Sequence, residues 1–192
     1  MNKKLPKLFY QEGAVALAPK FLGKYLVHKT EQGIISGMIT DVEAYPAFVD
    51  HVSHGNKRTK RTEVMYRDGG YAYVYKIYGM HYQCAVVVNK KDIPEVVFIR
   101  ALIPEEGINL MKKNFGKDVA EEGLTKSPGN LCKSFGITTH LYGADLTDNI
   151  LWLEDRDVVV HKEDILTARR VGIRANIKGS EKKFRFYLWT LK

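Results

Sequence analysis

The sequence predicts an α+β fold: a single domain over residues 1–192, built on a curved, mostly antiparallel sheet with flanking helices. The length suits one domain with a core of its own. Hydrophobic residues make up 45% of the chain and charged residues 27%, the balance of an ordinary folded protein. Strand and helix signals are interspersed without the βαβ rhythm of a parallel sheet, and no internal repeat or low-complexity linker divides them.

Taken in order, residues 12–22 predict a short helix with Val15, Leu17 and Phe21 on its buried side. Strands follow over 24–30 and 33–43, joined by a tight turn at Gln32-Gly33. Residues 50–70 are polar and rich in Gly, Arg and Lys, and predict a long loop of the kind that often carries function. The run from Tyr71 to Tyr82 holds five tyrosines in twelve residues. Alternate side chains of a strand share a face, so Tyr71, Tyr73 and Tyr75 predict an aromatic wall backed by Ala72 and Val74. Tyr78-Gly79 marks the turn of a hairpin between 71–77 and 82–89, and 96–102 predicts another strand. Pro104 predicts the start of a helix through Met111 and Phe115, with Glu105 and Glu106 in its first turn. Ser127-Pro128 reads as the N-cap and first residue of a helix carrying Leu131, Cys132 and Phe135. Strands are expected near 150–153 and 156–161, and again at the alternating Phe184, Phe186 and Leu188.

Lys and Arg total 30 against 22 for Asp and Glu, a net charge of +8 that favours a polyanionic partner such as nucleic acid. Cys84 and Cys132 sit in apolar contexts outside any CxxC, so buried thiols in a reducing compartment are expected. No apolar run reaches the length of a membrane span, and the start of the chain lacks the apolar stretch of a signal peptide. The expected location is the cytoplasm, in association with the nucleoid, with no membrane contact.

Glu43 ends an apolar strand, after Ile34, Ile35, Met38, Ile39 and Val42, where a carboxylate is positioned more firmly than on a loop. A solvent-facing Glu at a strand end is the plain alternative. Arg100, inside the apolar run 96–102, requires a carboxylate or phosphate partner, and Glu43 is the natural candidate, in a catalytic or a merely structural pair. His51 and His54 raise zinc, but no third ligand is near and the helical HExxH pattern is absent; no metal and no cofactor are expected. Residues 55–62 hold four cations among small polar side chains, a plausible contact for a phosphate backbone or a solvated charge run. The alternating tyrosines beside them favour the first reading, because aromatic faces stack on bases.

Several of these segments together resemble the alkyladenine DNA glycosylases, also called methylpurine or 3-methyladenine DNA glycosylases. The resemblance rests on Val42-Glu43-Ala44-Tyr45, His54, the run Tyr73 to Tyr82, Arg100-Ala101-Leu102 with Pro104, Ser127-Pro128-Gly129, Arg170-Val171-Gly172 and Phe184-Arg185-Phe186-Tyr187. It implies a hairpin that enters the DNA minor groove. It makes Glu43 the general base, Arg100 its partner in holding the attacking water, and the Val171 carbonyl that water's third contact. It places Tyr45, His54 and Tyr75 around a flipped base, with Tyr78 filling the gap left in the duplex. The implied activity is excision of alkylated purines of the 3-methyladenine and 7-methylguanine type from double-stranded DNA; one basic domain acting on one lesion needs no partner, so a monomer is expected.

Elementary chemistry agrees with that expectation. A stacked base must be extruded before it can be reached, and an aromatic wedge can fill the hole. An alkylated purine is cationic, gains roughly 0.5–2 kcal/mol between tyrosine faces, and is a good leaving group. One carboxylate and a water then suffice where sugar hydrolysis usually needs two carboxyl groups. No lysine stands in the site motif, so hydrolysis without strand cleavage is expected. Ala85 stands where the family usually has Asn, which implies a pocket less able to exclude guanine-type bases. Asn130 stands where a Lys often follows Pro-Gly. The alternative function is a non-catalytic binder of damaged or single-stranded nucleic acid.

Overall fold

A computed structural model describes residues 3–116 and 119–189. Its strands are β1 (Lys3–Lys4), β2 (Tyr25–Thr30), β3 (Gly33–Tyr45), β4 (Ala72–Ile77), β5 (His81–Val88), β6 (Glu95–Glu106), β7 (Leu151–Asp155), β8 (Ile165–Ala168) and β9 (Arg185–Leu188). Three α-helices accompany them: α1 (Ala14–Phe21), α2 (Ile108–Phe115) and α3 (Pro128–Phe135). The strands form one sheet in the order β1-β7-β2-β3-β6-β5-β4, with β9 on β3 and β8 on β9. Every named pairing is antiparallel, so the expected α+β class holds.

β3 is the hinge of the architecture. Residues 33–38 pair with β2, residues 41–43 with β9, and β6 runs alongside both halves. Register shifts between Ile39 and Asp41 and between Asp41 and Val42 accompany the change of partner. Asp41 faces Ala101 and Val42 faces Ile99, which leaves Arg100 without a partner in the ladder. Bulges of this kind bend a strand and re-aim its side chains.

The period-2 pattern of the central strands divides the apolar residues into two clusters. Val42, Ala44, Ala72, Val74, Cys84, Val86, Val97 and Ile99 join the main core with Leu17 and Phe21 of α1 and Leu131 and Phe135 of α3. Tyr73, Ala85, Val87, Val96 and Phe98 pack on the other face with Val64 and Met65, bordered by Tyr45, Tyr71 and Tyr75. The tyrosine wall and its Ala72/Val74 backing therefore lie where alternation put them. Burial lifts the Cys84 thiol to about 12, so it is protonated at neutral pH.

Other expectations change. The helix expected from Pro104 through Met111 and Phe115 is α2, but it starts later, at Ile108: β6 continues to Glu106, and Gly107, at φ 76°, breaks the chain before the helix. Glu105 pairs with Arg156 rather than with a helix N-terminus. Residues 156–161 form no strand, because Asp157 takes a φ of 60° and ends β7. Val158 and Val160 instead lie over Gly23. The strand expected there is displaced to β8. Val15 points outward from α1, and Ala14 and Ala18 take the buried positions. The tight turn is Glu31-Gln32, with Gly33 already paired to Thr30. The 50–70 segment contains short 3-10 turns at His54–Asn56 and Glu63–Tyr66. Among the described residues no helix is long and apolar enough to cross a membrane.

Candidate active site

A cavity of about 590 Å³ opens on the face that carries the smaller cluster. Glu43, Tyr45, His54, Tyr75, Ala85, Arg100 and Val171 all line it, and Tyr78 stands at its edge. The sequence thus named residues from five separate segments that the fold brings to one place.

Glu43 is wholly buried, which removes the solvent-facing alternative. Its Oε2 accepts a hydrogen bond from the Tyr45 hydroxyl at 2.8 Å, and its Oε1 accepts one from the Val171 amide at 2.8 Å. Arg100 Nη1 lies 3.1 Å from Oε1. Burial pushes the Glu43 carboxyl above its ordinary range, while Arg100, the Val171 amide and the Tyr45 hydroxyl draw it back down. Burial beside Glu43 raises the Tyr45 phenol, so Tyr45 remains a donor. A desolvated carboxylate fixed by three donors is preorganised to act as a base, with no rotation needed when a substrate arrives.

The opposite wall is aromatic. Tyr73 and Tyr75 lie 4.7 Å apart between ring centroids. His54 meets Tyr75 edge-on at 5.2 Å, and its Nδ1 lies 3.2 Å from the Tyr73 hydroxyl. Desolvation among these rings and the nearby Arg61 charge lower the His54 pKa, which favours neutral imidazole. His51 is not among the residues lining this cavity, and the described residues contain no cluster of three or more His, Cys, Asp or Glu fit for a metal ion.

The basic loop is only partly a free charge run. Arg58 pairs with Glu63 and stacks on Tyr66, and Arg61 lies 4.7 Å over the Tyr75 ring. Lys57 and Lys60 are exposed. Asn130 braces the start of α3. Its Nδ2 donates to the Gly123 carbonyl at 2.9 Å, and its amide meets the Ser127 N-cap oxygen. Tyr78 lies in the connection between β4 and β5, 89% exposed and at φ 50°, followed by Gly79 at φ 69°.

Two arrangements escaped the sequence reading. Arg170 and Asp50 form a fully buried ion pair. Arg170 also donates to the carbonyls of Ala44 and Gly179 and lies over the Tyr45 ring. This clasp fastens the 46–53 and 170–179 segments to each other, and Val52 and Val171 from them line the cavity. Asp50 follows Ala47-Phe48-Val49, of which Phe48 and Val49 are exposed, so its immediate neighbours do not mark it as buried. Asp41 is the second: it is bound by Arg185 and lies two residues before Glu43. Two carboxylates at i and i+2 of an apolar strand share a face and require cations opposite, which is a legible signal.

The family model described as methylpurine-DNA glycosylase matches residues 8–191. A protein of Clostridium novyi named "Putative 3-methyladenine DNA glycosylase" is 37% identical over 97% of this chain and 95% of its own length. Proteins of the same name from Bacillus licheniformis and Bacillus subtilis are 40% and 37% identical, over 97% and 96% of this chain and 94% and 92% of theirs. The chain belongs to the methylpurine-DNA glycosylase family.

Proposed function

We propose that this member of the methylpurine-DNA glycosylase family binds double-stranded DNA as a monomer, extrudes an alkylated purine into the cavity and hydrolyses its N-glycosidic bond. Glu43 carries this reading: a pure binder of a polyanion gains nothing from a buried carboxylate, whereas hydrolysis needs one at the reacting carbon.

The base enters between Tyr45 on one side and His54 and Tyr75 on the other. Its positive charge is favoured by the tyrosine faces. Glu43 removes a proton from a water and faces the oxocarbenium-like sugar as the bond to the base breaks. The alkylated base leaves without an acid, because its charge already makes it a good leaving group. Arg100 and the Val171 carbonyl complete the water's contacts. Water is the nucleophile and no amine forms a Schiff base, so the strand stays intact and an abasic site remains. Tyr78 occupies the space vacated in the duplex. Ala85, facing Tyr73 and Phe98 across the ladder, leaves room beside the base, so 7-methylguanine is accepted together with 3-methyladenine.

Single-turnover release from a duplex holding a methylated purine or 1,N6-ethenoadenine tests this. Wild type should release the base, and Glu43→Gln should lose release while keeping its affinity for the lesion duplex. Binding without release in wild type favours a non-catalytic damage-binding protein instead. Ala85→Asn should lower excision of 7-methylguanine relative to 3-methyladenine; an unchanged ratio removes Ala85 from substrate choice.

A further inference from the structure

We propose that Asp41, held by Arg185, is a positioning residue that fixes Arg100 against Glu43. This rests on the reading of Glu43 as the base.

The four side chains form one line of alternating charge. Arg185 Nη2 lies 2.6 Å from Asp41 Oδ2, and its Nε lies 3.0 Å from Oδ1. Asp41 Oδ2 lies 3.6 Å from Arg100 Nε, and Arg100 Nη1 lies 3.1 Å from Glu43 Oε1. Arg100 Nε is buried and has no hydrogen-bond acceptor within range, so Asp41 is the group that orients it. The distances decide the ownership of each charge. Asp41 is committed to Arg185 at two short contacts, and only a longer one is left for Arg100. Asp41 therefore steers the guanidinium without drawing it off Glu43.

The sheet builds this line from three strands. Asp41 and Glu43 share a face of β3, the unpaired position in β6 supplies Arg100, and Arg185 lies opposite Glu43 in the β3–β9 register. Asp41 and Arg185 also line a second cavity of about 520 Å³, so the far end of the line meets solvent while Glu43 does not. The charged and titratable groups facing Glu43 are Asp41 and Tyr45 from β3, Arg100 from β6, Arg185 from β9 and Tyr75 from β4. The Val171 amide faces it from the 170–179 segment.

Removing the two outer members should push Glu43 in opposite directions. Asp41→Asn deletes a negative charge and frees Arg185, and this outweighs the looser hold on Arg100, so Glu43 ionises more easily. Arg185→Gln leaves Asp41 unneutralised and pulls Arg100 toward it, so Glu43 ionises less easily. Carboxyl-labelled Glu43 followed by carbon NMR reads this directly. The midpoint should fall by about one pH unit in Asp41→Asn and rise by about half a unit in Arg185→Gln, with Arg185→Lys close to wild type.

The acid limb of single-turnover base release should move the same way. In Asp41→Asn the plateau rate should fall roughly tenfold at unchanged lesion-duplex affinity, the cost of a misplaced group. Midpoints that stay put, or that move in one direction in both variants, overturn the proposal. Arg185 is partly exposed and carries the test alone if Asp41→Asn does not fold. A wild type that releases no base defeats the glycosylase reading, while the titration still tests the charge line.

Discussion

Glu43 and Tyr78 stand at opposite extremes of support. Glu43 is held by a phenol, an amide and a guanidinium from three different segments and has no contact with solvent. Tyr78 projects into solvent from a left-handed backbone position, and a side chain at the neighbouring Gly79 would meet nothing within 4 Å. The contrast fits the roles proposed for the two groups. A base must be in place before the substrate arrives, so the protein supplies its partners. A wedge finds its partners in the duplex, so the protein supplies only the reach. Order at one end and exposure at the other are two answers to the question of where binding energy is gained.

The largest effect is expected at the clasp. Arg170→Met leaves Asp50 buried without its cation and should cost about 3–5 kcal/mol. A large fall in melting temperature, with loss of base release, is expected. A melting temperature near that of wild type would show that the cavity walls do not depend on the pair.

Tyr78→Ala should do the reverse. Its thermal stability should stay within about 0.5 kcal/mol of wild type. Base release should drop roughly 10- to 100-fold through the lost stacking, with binding to undamaged duplex retained. Equal loss of both would make Tyr78 an ordinary DNA contact. Binding to undamaged duplex should itself weaken steeply with salt, and Lys57→Ala with Lys60→Ala should reduce that slope.

The smallest effect lies at His54. Its folded pKa is lowered, so the unfolded chain takes up the proton first as pH falls below about 6.5. Stability should therefore decline through that range on acidification, less steeply in His54→Gln. Tyr78→Ala should follow the wild-type slope, since the tip has no share in the pocket's protonation. Melting temperatures between pH 5 and 8 read the difference.

How much of this was legible depended on the range of the signal. Alternation fixed the tyrosine wall, its two-sided burial and the exposed tip, because period 2 is local and strong in β4. Ser127-Pro128 marked α3 for the same local reason. The helix expected from Pro104 starts late, at Ile108, because proline opens helices only when the preceding residues have already left the sheet, and β6 stays paired with β3 as far as Glu106. The strand expected at 156–161 failed because one left-handed residue, Asp157, outweighs three consecutive valines. Glu43 and Arg100 could be paired from sequence, since two charges in apolar strands have few other options. Asp50 and Arg170 could not, because their burial is created by contact between segments 120 residues apart.

The separation of these partners also sets a timetable. Val171 reaches back 128 residues to Glu43, and Arg185 reaches back 144 to Asp41. Until Val171 and Arg185 have left the ribosome, the carboxylate has neither its amide donor nor the neighbour that neutralises Asp41. A chain whose β9 has not yet emerged carries the tyrosine run but lacks the Arg185 partner of Asp41. β9, the last of the described strands, thus closes the line of charge, and on the proposed reading a chain without it would be poorly equipped to release a base.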